Sequence, residues 1–272
     1  MKLRSLLYVP ADNARFVAKA AARHADAVIL DLEDTAPAEA RQAARAGLAA
    51  AVATVGAAGA QVMVRINAGD LDDARAAVAA GVTMLVVPKV RAAGDLVPLA
   101  QALAEAEAGT GAEIGLLALI EDPGAVLDAR AIARGPRVRG LLTGGESLAT
   151  AMGATVADPE VLRMPRLLVH YAAKAEGLLS FGLLRSLADL TDLAAIAAAA
   201  REARRFGFDG ATCVHPTVVP LLNRGFAPAR EEIDWARRVL SGAQGRTAYR
   251  IDGSLIDEAA IDRARRILDD AR

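Results

Sequence analysis

Three carboxylates, Asp31, Glu33 and Asp34, fall within four positions at the end of the apolar run Asp26-Ala-Val-Ile-Leu-Asp-Leu-Glu-Asp-Thr35. A core strand does not hold so many acids, whereas the C-terminal end of a parallel strand is where α/β proteins gather the groups of a site. Asp34-Thr35 could instead cap the helical pattern that starts at Pro37, but capping needs one acid and three are present. Arg65, inside Met63-Val-Arg-Ile-Asn67, is a charge within a strand-like run and requires a partner. Two partners fit it: an acid of the neighbouring strand in a structural ion pair, or a substrate carboxylate in a bidentate clamp. Further polar groups close other apolar runs: Asp12, Lys89, Glu121 with Asp122, Glu146 and His215. Two carboxylates from neighbouring strands, completed by substrate oxygens, suit Mg²⁺, a hard ion that takes oxygen ligands and keeps waters. Zinc fits poorly, because His24, His170 and His215 lie far apart and there is one cysteine.

The elements that must position these groups alternate regularly. Short Val/Ile/Leu-rich runs are expected as strands at Ser5 to Pro10, Ala27 to Glu33, Gln61 to Asn67, Met84 to Val90, Glu113 to Glu121, Val138 to Gly144, Leu178 to Leu184 and Ala211 to Pro216. Alanine-rich helical patterns separate them, near residues 13–23, 37–55, 72–80, 93–108, 123–133, 159–176 and 192–206. Eight such repeats predict a closed (β/α)₈ TIM barrel over residues 1–224. The competing open doubly wound sheet lacks support, since no Gly-x-Gly-x-x-Gly turn follows an early strand. Residues 225–272 then read as a short helical and hairpin extension, too polar for a core of its own and suited to a lid or an arm on a neighbouring subunit. Asp257 opens its last helix.

Composition narrows the function classes. With 272 residues, 54% of them hydrophobic, the chain is long enough to bury a full core. A net charge of −1 and 3% aromatic residues supply neither a basic face nor stacking platforms, so nucleic acid is not an expected partner. Cys213 alone excludes an internal disulfide framework and fits a reducing, cytoplasmic setting. The first apolar run reaches Pro10 at once and reads as a strand rather than a signal peptide, and no apolar stretch is long enough to span a membrane.

In order along the chain, Arg4-Ser-Leu-Leu-Tyr-Val-Pro10, Asp26-Ala-Val-Ile-Leu-Asp-Leu-Glu-Asp34, Val64-Arg-Ile-Asn67, Val87-Pro-Lys-Val90, Leu119-Ile-Glu121, Gly144-Gly-Glu-Ser-Leu148 and Gly207-Phe-Asp-Gly210 with Val214-His-Pro216 resemble the citrate lyase β-subunit-like proteins of the HpcH/HpaI aldolase and malyl-CoA lyase superfamily. The resemblance extends from Arg4 to Ile251-Asp-Gly-Ser-Leu-Ile-Asp257. It implies a homotrimeric (β/α)₈ barrel that binds Mg²⁺ and makes or breaks a carbon–carbon bond in a hydroxyacyl-CoA thioester or related hydroxy acid. In its terms Glu121 is a metal ligand, Arg65 grips the substrate carboxylate, and Glu33 and Asp34 support the metal-bound waters and the arginine. Arg4 and Lys89 match further substrate-binding residues of the mouth. Asp257 matches an acid that relatives donate to a neighbouring subunit's site as general acid/base; an N-cap on the last helix is the alternative.

One departure bears on activity. Where the family reads Gly-Ala-Glu-Asp-Leu, with the aspartate as second metal ligand, this chain has Ser147. A neutral hydroxyl is a weak Mg²⁺ ligand, so either Glu146 or Asp122 substitutes or metal binding weakens. Strand seven lacks the family's acid, and Val218 replaces a common glutamine. Three readings follow: a Mg²⁺-dependent lyase, a barrel that has lost catalysis and binds a CoA-like or acid ligand as an accessory subunit, or an aldolase of the pyruvate type.

Overall fold

The computed structural model describes residues 2–33, 38–108, 113–155, 158, 160–185, 192–243 and 245–271. The chain forms two compact units, residues 3–225 and 226–272. In the first, strands and helices alternate: β1 (Ser5–Pro10), α1 (Ala14–Ala20), β2 (Ala27–Asp31), α2 (Ala38–Gly56), β3 (Gln61–Arg65), α3 (Leu71–Ala79), β4 (Met84–Val87), α4 (Val97–Glu107), β5 (Gly115–Ile120), α5 (Pro123–Leu127), α6 (Ala129–Ala133), β6 (Val138–Thr143), α7 (Gly145–Ala151), α8 (Arg163–Ala175), β7 (Leu179–Phe181), α9 (Leu193–Phe206), β8 (Ala211–Cys213) and α10 (Val219–Gly225). Among the described residues eight strands pair in the order β7-β6-β5-β4-β3-β2-β1-β8, every pair parallel. A parallel bridge between Phe181 and Gly210, with the Gly182 N–H donating to the Gly210 carbonyl at 2.9 Å, joins β7 to the approach to β8 and closes the ring. This is the expected (β/α)₈ barrel. Gly210 is required at the seam, because a Cβ there would run into the Leu3 and Arg4 carbonyl oxygens.

Local chemistry sets the element boundaries. Asp70, Asp122 and Asp192 each precede a helix and accept from backbone N–H groups of its first turn, which satisfies donors the helix leaves open. Gly207 ends α9 in the left-handed conformation, φ 96°. Seven of the eight expected strands run on by one to three residues past the paired ladder, because the apolar pattern continues where the strands splay into loops; the first, Ser5–Pro10, matches at both ends. Two short helices, α7 close after β6 and α10 after β8, are too short to carry a long periodic pattern. His24, expected on a helix, follows a 3₁₀ turn with φ 55°.

Alternation along the strands decides what fills the barrel. Leu6 on β1, Ala27 and Ile29 on β2, Met63 on β3, Val86 on β4, Leu117 and Leu119 on β5, Leu142 on β6 and Phe181 on β7 form one buried cluster, with Tyr8 packed against it. Side chains on a strand repeat every two residues. The inward positions after Ile29, Met63 and Leu119 are therefore Asp31, Arg65 and Glu121, so the same alternation that builds the core delivers charges to the C-terminal end of the barrel.

The second unit contains α11 (Arg230–Ala243), a hairpin of β9 (Tyr249–Ile251) and β10 (Ser254–Ile256), and α12 (Glu258–Ala271). It does have a core, contrary to the expectation from its polar composition: Val239, Ala243, Ile256, Ile261, Ala264 and Ile267 pack together. Two amphipathic helices can each bury one apolar stripe against the other while their remaining faces stay charged. Asp252 and Gly253 both take positive φ, 48° and 80°, as a tight hairpin turn requires.

Ile29 is fully buried at the centre of the barrel cluster. Ile29→Ala is expected to cost about 2–5 kcal/mol, read as a lower urea midpoint with an unchanged far-UV spectrum; an unshifted midpoint would show that the barrel interior is not the stabilising core.

Candidate active site

Parallel register places Asp31 directly opposite Arg65, and Arg65 opposite Val86. The Arg65 Nε donates to Asp31 Oδ1 at 2.7 Å, and its Nη2 is ion-paired with Asp31 Oδ2. Arg65 Nη1 meets Glu33 Oε2 at 2.9 Å, and Lys89 Nζ meets Glu33 Oε1 at 3.0 Å. The guanidinium lies 4.8 Å from the centre of the Tyr8 ring, so an aromatic face closes its remaining side. Asp31 is 7% exposed. Burial works against the charge on Arg65, but the hydrogen bonds and charge of Asp31, with help from Glu33, outweigh it and raise the guanidinium pKa. Of the two partners open to Arg65 in the sequence, the strand-two acids are the ones the structure records.

Glu121 follows β5 and leans toward β6. Its Oε2 accepts from the Lys89 backbone N–H at 2.8 Å, and the Ser147 hydroxyl donates to the same carboxylate. Lys89 has φ 55°, a conformation in which non-glycine side chains are uncommon, and that backbone geometry turns its N–H toward Glu121. Gly144 makes the approach possible, since a Cβ there would stand 2.5 Å from Glu121 Oε1. Burial raises the Glu121 pKa, and the charge of Glu33 adds to it, against the Lys89 N–H, the Ser147 hydroxyl and Arg65.

These groups share one cavity of about 1050 Å³ at the C-terminal ends of the strands. Asp31, Glu33, Arg65, Lys89, Glu121, Glu146, Ser147 and His215 all line it. Asp34 lies outside the described residues. Asp122, the other acid that could replace the missing ligand, is not among the residues lining the cavity, and its Oδ1 accepts from Gly124 N at 2.8 Å and Ala125 N at 3.3 Å, capping α5. Arg4 requires a correction. It precedes β1, at the barrel end opposite the cavity, and grips Asp26 through Nε–Oδ2 at 2.7 Å and Nη2–Oδ1 at 2.9 Å. An arginine at a strand start and an aspartate at the neighbouring strand start meet because parallel strands are in register. Asp257 accepts from Ala260 N at 2.8 Å and thereby caps α12. Cys213 lines the cavity wall as a packed residue, burial pushing its thiol up to about 12.

Sequence reasoning passed over Tyr8, Gly144 and Arg166. Tyr8 falls in the first expected strand and Arg166 in the helical pattern near residues 159–176, and no local pattern marks either as a site residue. The signal available for Gly144 was its position directly after strand six, where a glycine marks close approach of another group.

Among the described residues no group of three or more His, Cys, Asp or Glu converges to hold a metal ion by itself. The donors that do meet at Glu121 are a carboxylate and a hydroxyl, all oxygen, in an open cavity. That set fits Mg²⁺, which binds through one or two carboxylates and takes its other ligands from water and substrate; Glu121 and Ser147 are the residues that would hold it.

Comparison with known proteins agrees with this geometry. The sequence profile of the HpcH/HpaI aldolase/citrate lyase family matches residues 4–216. The citrate lyase β subunit of Haemophilus influenzae is 30% identical over 288 residues, covering 100% of this chain and 98% of its own. The (3S)-malyl-CoA thioesterase of Cereibacter sphaeroides is 31% identical over 276 residues, covering 97% and 93%. The crystal structure of CitE from Mycobacterium tuberculosis in complex with magnesium, acetoacetate and coenzyme A superposes with a TM-score of 0.78 at 30% identity, over 98% of this chain and 97% of that one.

Arg65→Met would leave Asp31 and Glu33 as buried carboxylates without their shared partner, at a cost of about 3–5 kcal/mol. Arg65→Lys keeps the charge but cannot fork to two acids, and its loss should fall between wild type and Met. Urea unfolding of the three proteins orders them; equal midpoints for wild type and Arg65→Met would remove the ion pair from any structural account.

Proposed function

The chain belongs to the HpcH/HpaI aldolase/citrate lyase family, and from that premise we propose that it is a Mg²⁺-dependent carbon–carbon lyase acting on a hydroxyacyl-CoA thioester or related hydroxy acid. The observation that carries this reading is the pairing of a rigidly held guanidinium, Arg65, with a raised-pKa carboxylate, Glu121, across one cavity floor.

Asp31 fixes one donor edge of Arg65 and thereby its plane. A substrate carboxylate would meet the edge that Glu33 now contacts, with Lys89 drawing Glu33 aside. In a retro-Claisen cleavage the substrate hydroxyl loses its proton and becomes a carbonyl, and the adjacent carbon–carbon bond breaks. The electron pair passes to the thioester fragment as an enolate, which is then protonated at carbon. Mg²⁺ bound at Glu121 and Ser147 would supply positive charge next to the oxygen on which negative charge develops. Arg65 orients the acid through its carboxylate, and Tyr8 with the apolar wall of Leu119, Leu142 and Phe181 keeps water from the floor.

A second reading, an accessory barrel that binds such ligands without cleaving them, is favoured by Ser147 alone. Mg²⁺-dependent release of a keto acid from a hydroxyacyl-CoA, abolished by chelator and by Glu121→Gln, is the expected result for the lyase. Ligand binding without turnover would transfer the case to the accessory reading.

We also propose a homotrimer; the exposed stripe Met164, Leu168 and Tyr171 along α8 gives it apolar surface to bury. Light scattering that returns a monomer at micromolar concentration would reject it.

With a single carboxylate, Mg²⁺ should bind poorly in the absence of substrate and more tightly in its presence, each ligand strengthening the other equally. Ser147→Asp should raise metal affinity in the free protein by about tenfold, or about 1.4 kcal/mol. Calorimetric titration of Mg²⁺ into wild type and variant reads this directly; tight binding to wild type that the substitution leaves unchanged would place the ligands elsewhere.

A further inference from the structure

We propose that the Tyr8 hydroxyl is a specificity-determining donor of the cavity: it meets the oxygen on the carbon next to the ligand's carboxylate, while Arg65 holds the carboxylate itself. The inference rests on the lyase reading above and assigns the recognition of one substrate oxygen to a residue of this chain.

Tyr8 is the inward residue of β1 that follows Leu6, and it stands opposite Ile29 of β2. Its ring packs against the barrel cluster and also carries the Arg65 guanidinium, 4.8 Å from its centre. Arg65 is itself fixed by Asp31 and Glu33, so the ring has little freedom and its hydroxyl a set direction. Tyr8 lines the cavity, and its phenolic oxygen has no hydrogen-bond partner among the described residues. Nor is that oxygen sealed: among the described residues the one side-chain polar atom both closed to water and unbonded is Arg166 Nη1. Asp31, Glu33 and Glu121 lie within electrostatic reach of the phenol, yet each is engaged elsewhere. Asp31 is held by Arg65, Glu33 by Arg65 and Lys89, and Glu121 by the Lys89 N–H and the Ser147 hydroxyl.

A phenylalanine would fill the same space and offer Arg65 an aromatic face without an unanswered donor. What the hydroxyl adds is a donor open to the cavity, and a ligand that displaces solvent from such a group loses affinity unless it brings an acceptor. Position decides which acceptor. The phenol feels both Arg65, which would grip the ligand carboxylate, and Glu121, which would hold Mg²⁺. The ligand atom within reach of both is the oxygen one carbon away from the carboxylate, the hydroxyl that becomes a carbonyl on cleavage. Burial raises the Tyr8 pKa, against Arg65 and with Asp31, Glu121 and Glu33, so the group stays a phenol and donates without giving up its proton. A neutral donor of this kind favours an oxygen and does nothing for a methylene in the same place.

The test uses the full chain at saturating Mg²⁺, with pyruvate and propionate as probes, titrated into wild type and Tyr8→Phe. The two acids share a carboxylate and a methyl group and differ in the oxygen on the carbon between them. Wild type should prefer pyruvate, and Tyr8→Phe should weaken pyruvate about three- to tenfold while leaving propionate unchanged. The ligand-free melting midpoint of the variant should be no lower than that of wild type. Equal losses for both acids would mean that the ring only supports Arg65; no loss for either, or no preference for pyruvate in wild type, would mean that the hydroxyl reads nothing. Each of these outcomes overturns the proposal, and so does a lowered midpoint, which would show that the hydroxyl is answered within the protein. Pyruvate affinity that depends on the hydroxyl in a protein without lyase turnover would count against the proposed reaction and leave this contact standing.

Discussion

The buried pairing of Asp31 with Arg65 is the constraint on which the rest of the cavity depends. It exists because β2 and β3 are parallel and in register, and because the inward parity that gives Ile29 and Met63 to the core gives the next inward positions to an acid and a base. Two charges taken out of water gain little net stability, but removing either leaves the other stranded. Their yield is orientation: Arg65 held by two carboxylates and an aromatic face has one plane available, and Glu33, Lys89 and Glu121 are then placed relative to it. Without the pair, the floor would be a set of long side chains with independent rotamers, each costing entropy to fix when a ligand arrives.

Backbone geometry carries the arrangement from β3 across to β6. Lys89 spends its left-handed conformation on one N–H bond to Glu121, and Gly144 gives up a side chain to admit the same carboxylate. Each is a local departure from what a strand end ordinarily adopts, and both converge on one carboxylate. Departures of this sort persist where the surrounding structure over-determines them. Here the barrel supplies that over-determination, since β4, β5 and β6 are hydrogen-bonded neighbours and none of their ends can move alone.

The fold was legible because its signal is one-dimensional. Each strand buried on both faces reads as a short apolar run, and the runs recur at the spacing of a βα unit. Charges that end such runs, Asp31, Arg65 and Glu121, were legible for the same reason, since period two tells which of them face inward. Arg4 was misplaced because a motif match records neighbours in sequence and not which end of the barrel they occupy; it begins its strand, so it faces the other rim and pairs with Asp26. Arg166 carries no signal in the sequence because what distinguishes it, a buried donor without a partner among the described residues, exists only in three dimensions, and for Gly144 a glycine at a strand end is the sole trace of the contact that excludes a Cβ. The tail was judged by average polarity, which hides the narrow apolar stripes of α11 and α12.

Charge on the cavity floor gives Ser147 a meaning beyond the loss of a ligand. Asp31 and Glu33 are held by Arg65 and Lys89, whereas Glu121 accepts from a backbone N–H and a hydroxyl. On the proposed reading Mg²⁺ would be the charge that answers Glu121, and an aspartate at position 147 would set a second carboxylate beside one whose pKa burial already raises. A neutral residue there would lower metal affinity in the empty site and leave more of the ion's charge for an anionic ligand. The serine is therefore consistent with retained chemistry on a more acidic substrate as well as with lost chemistry, and the charge borne by the ligand separates the two.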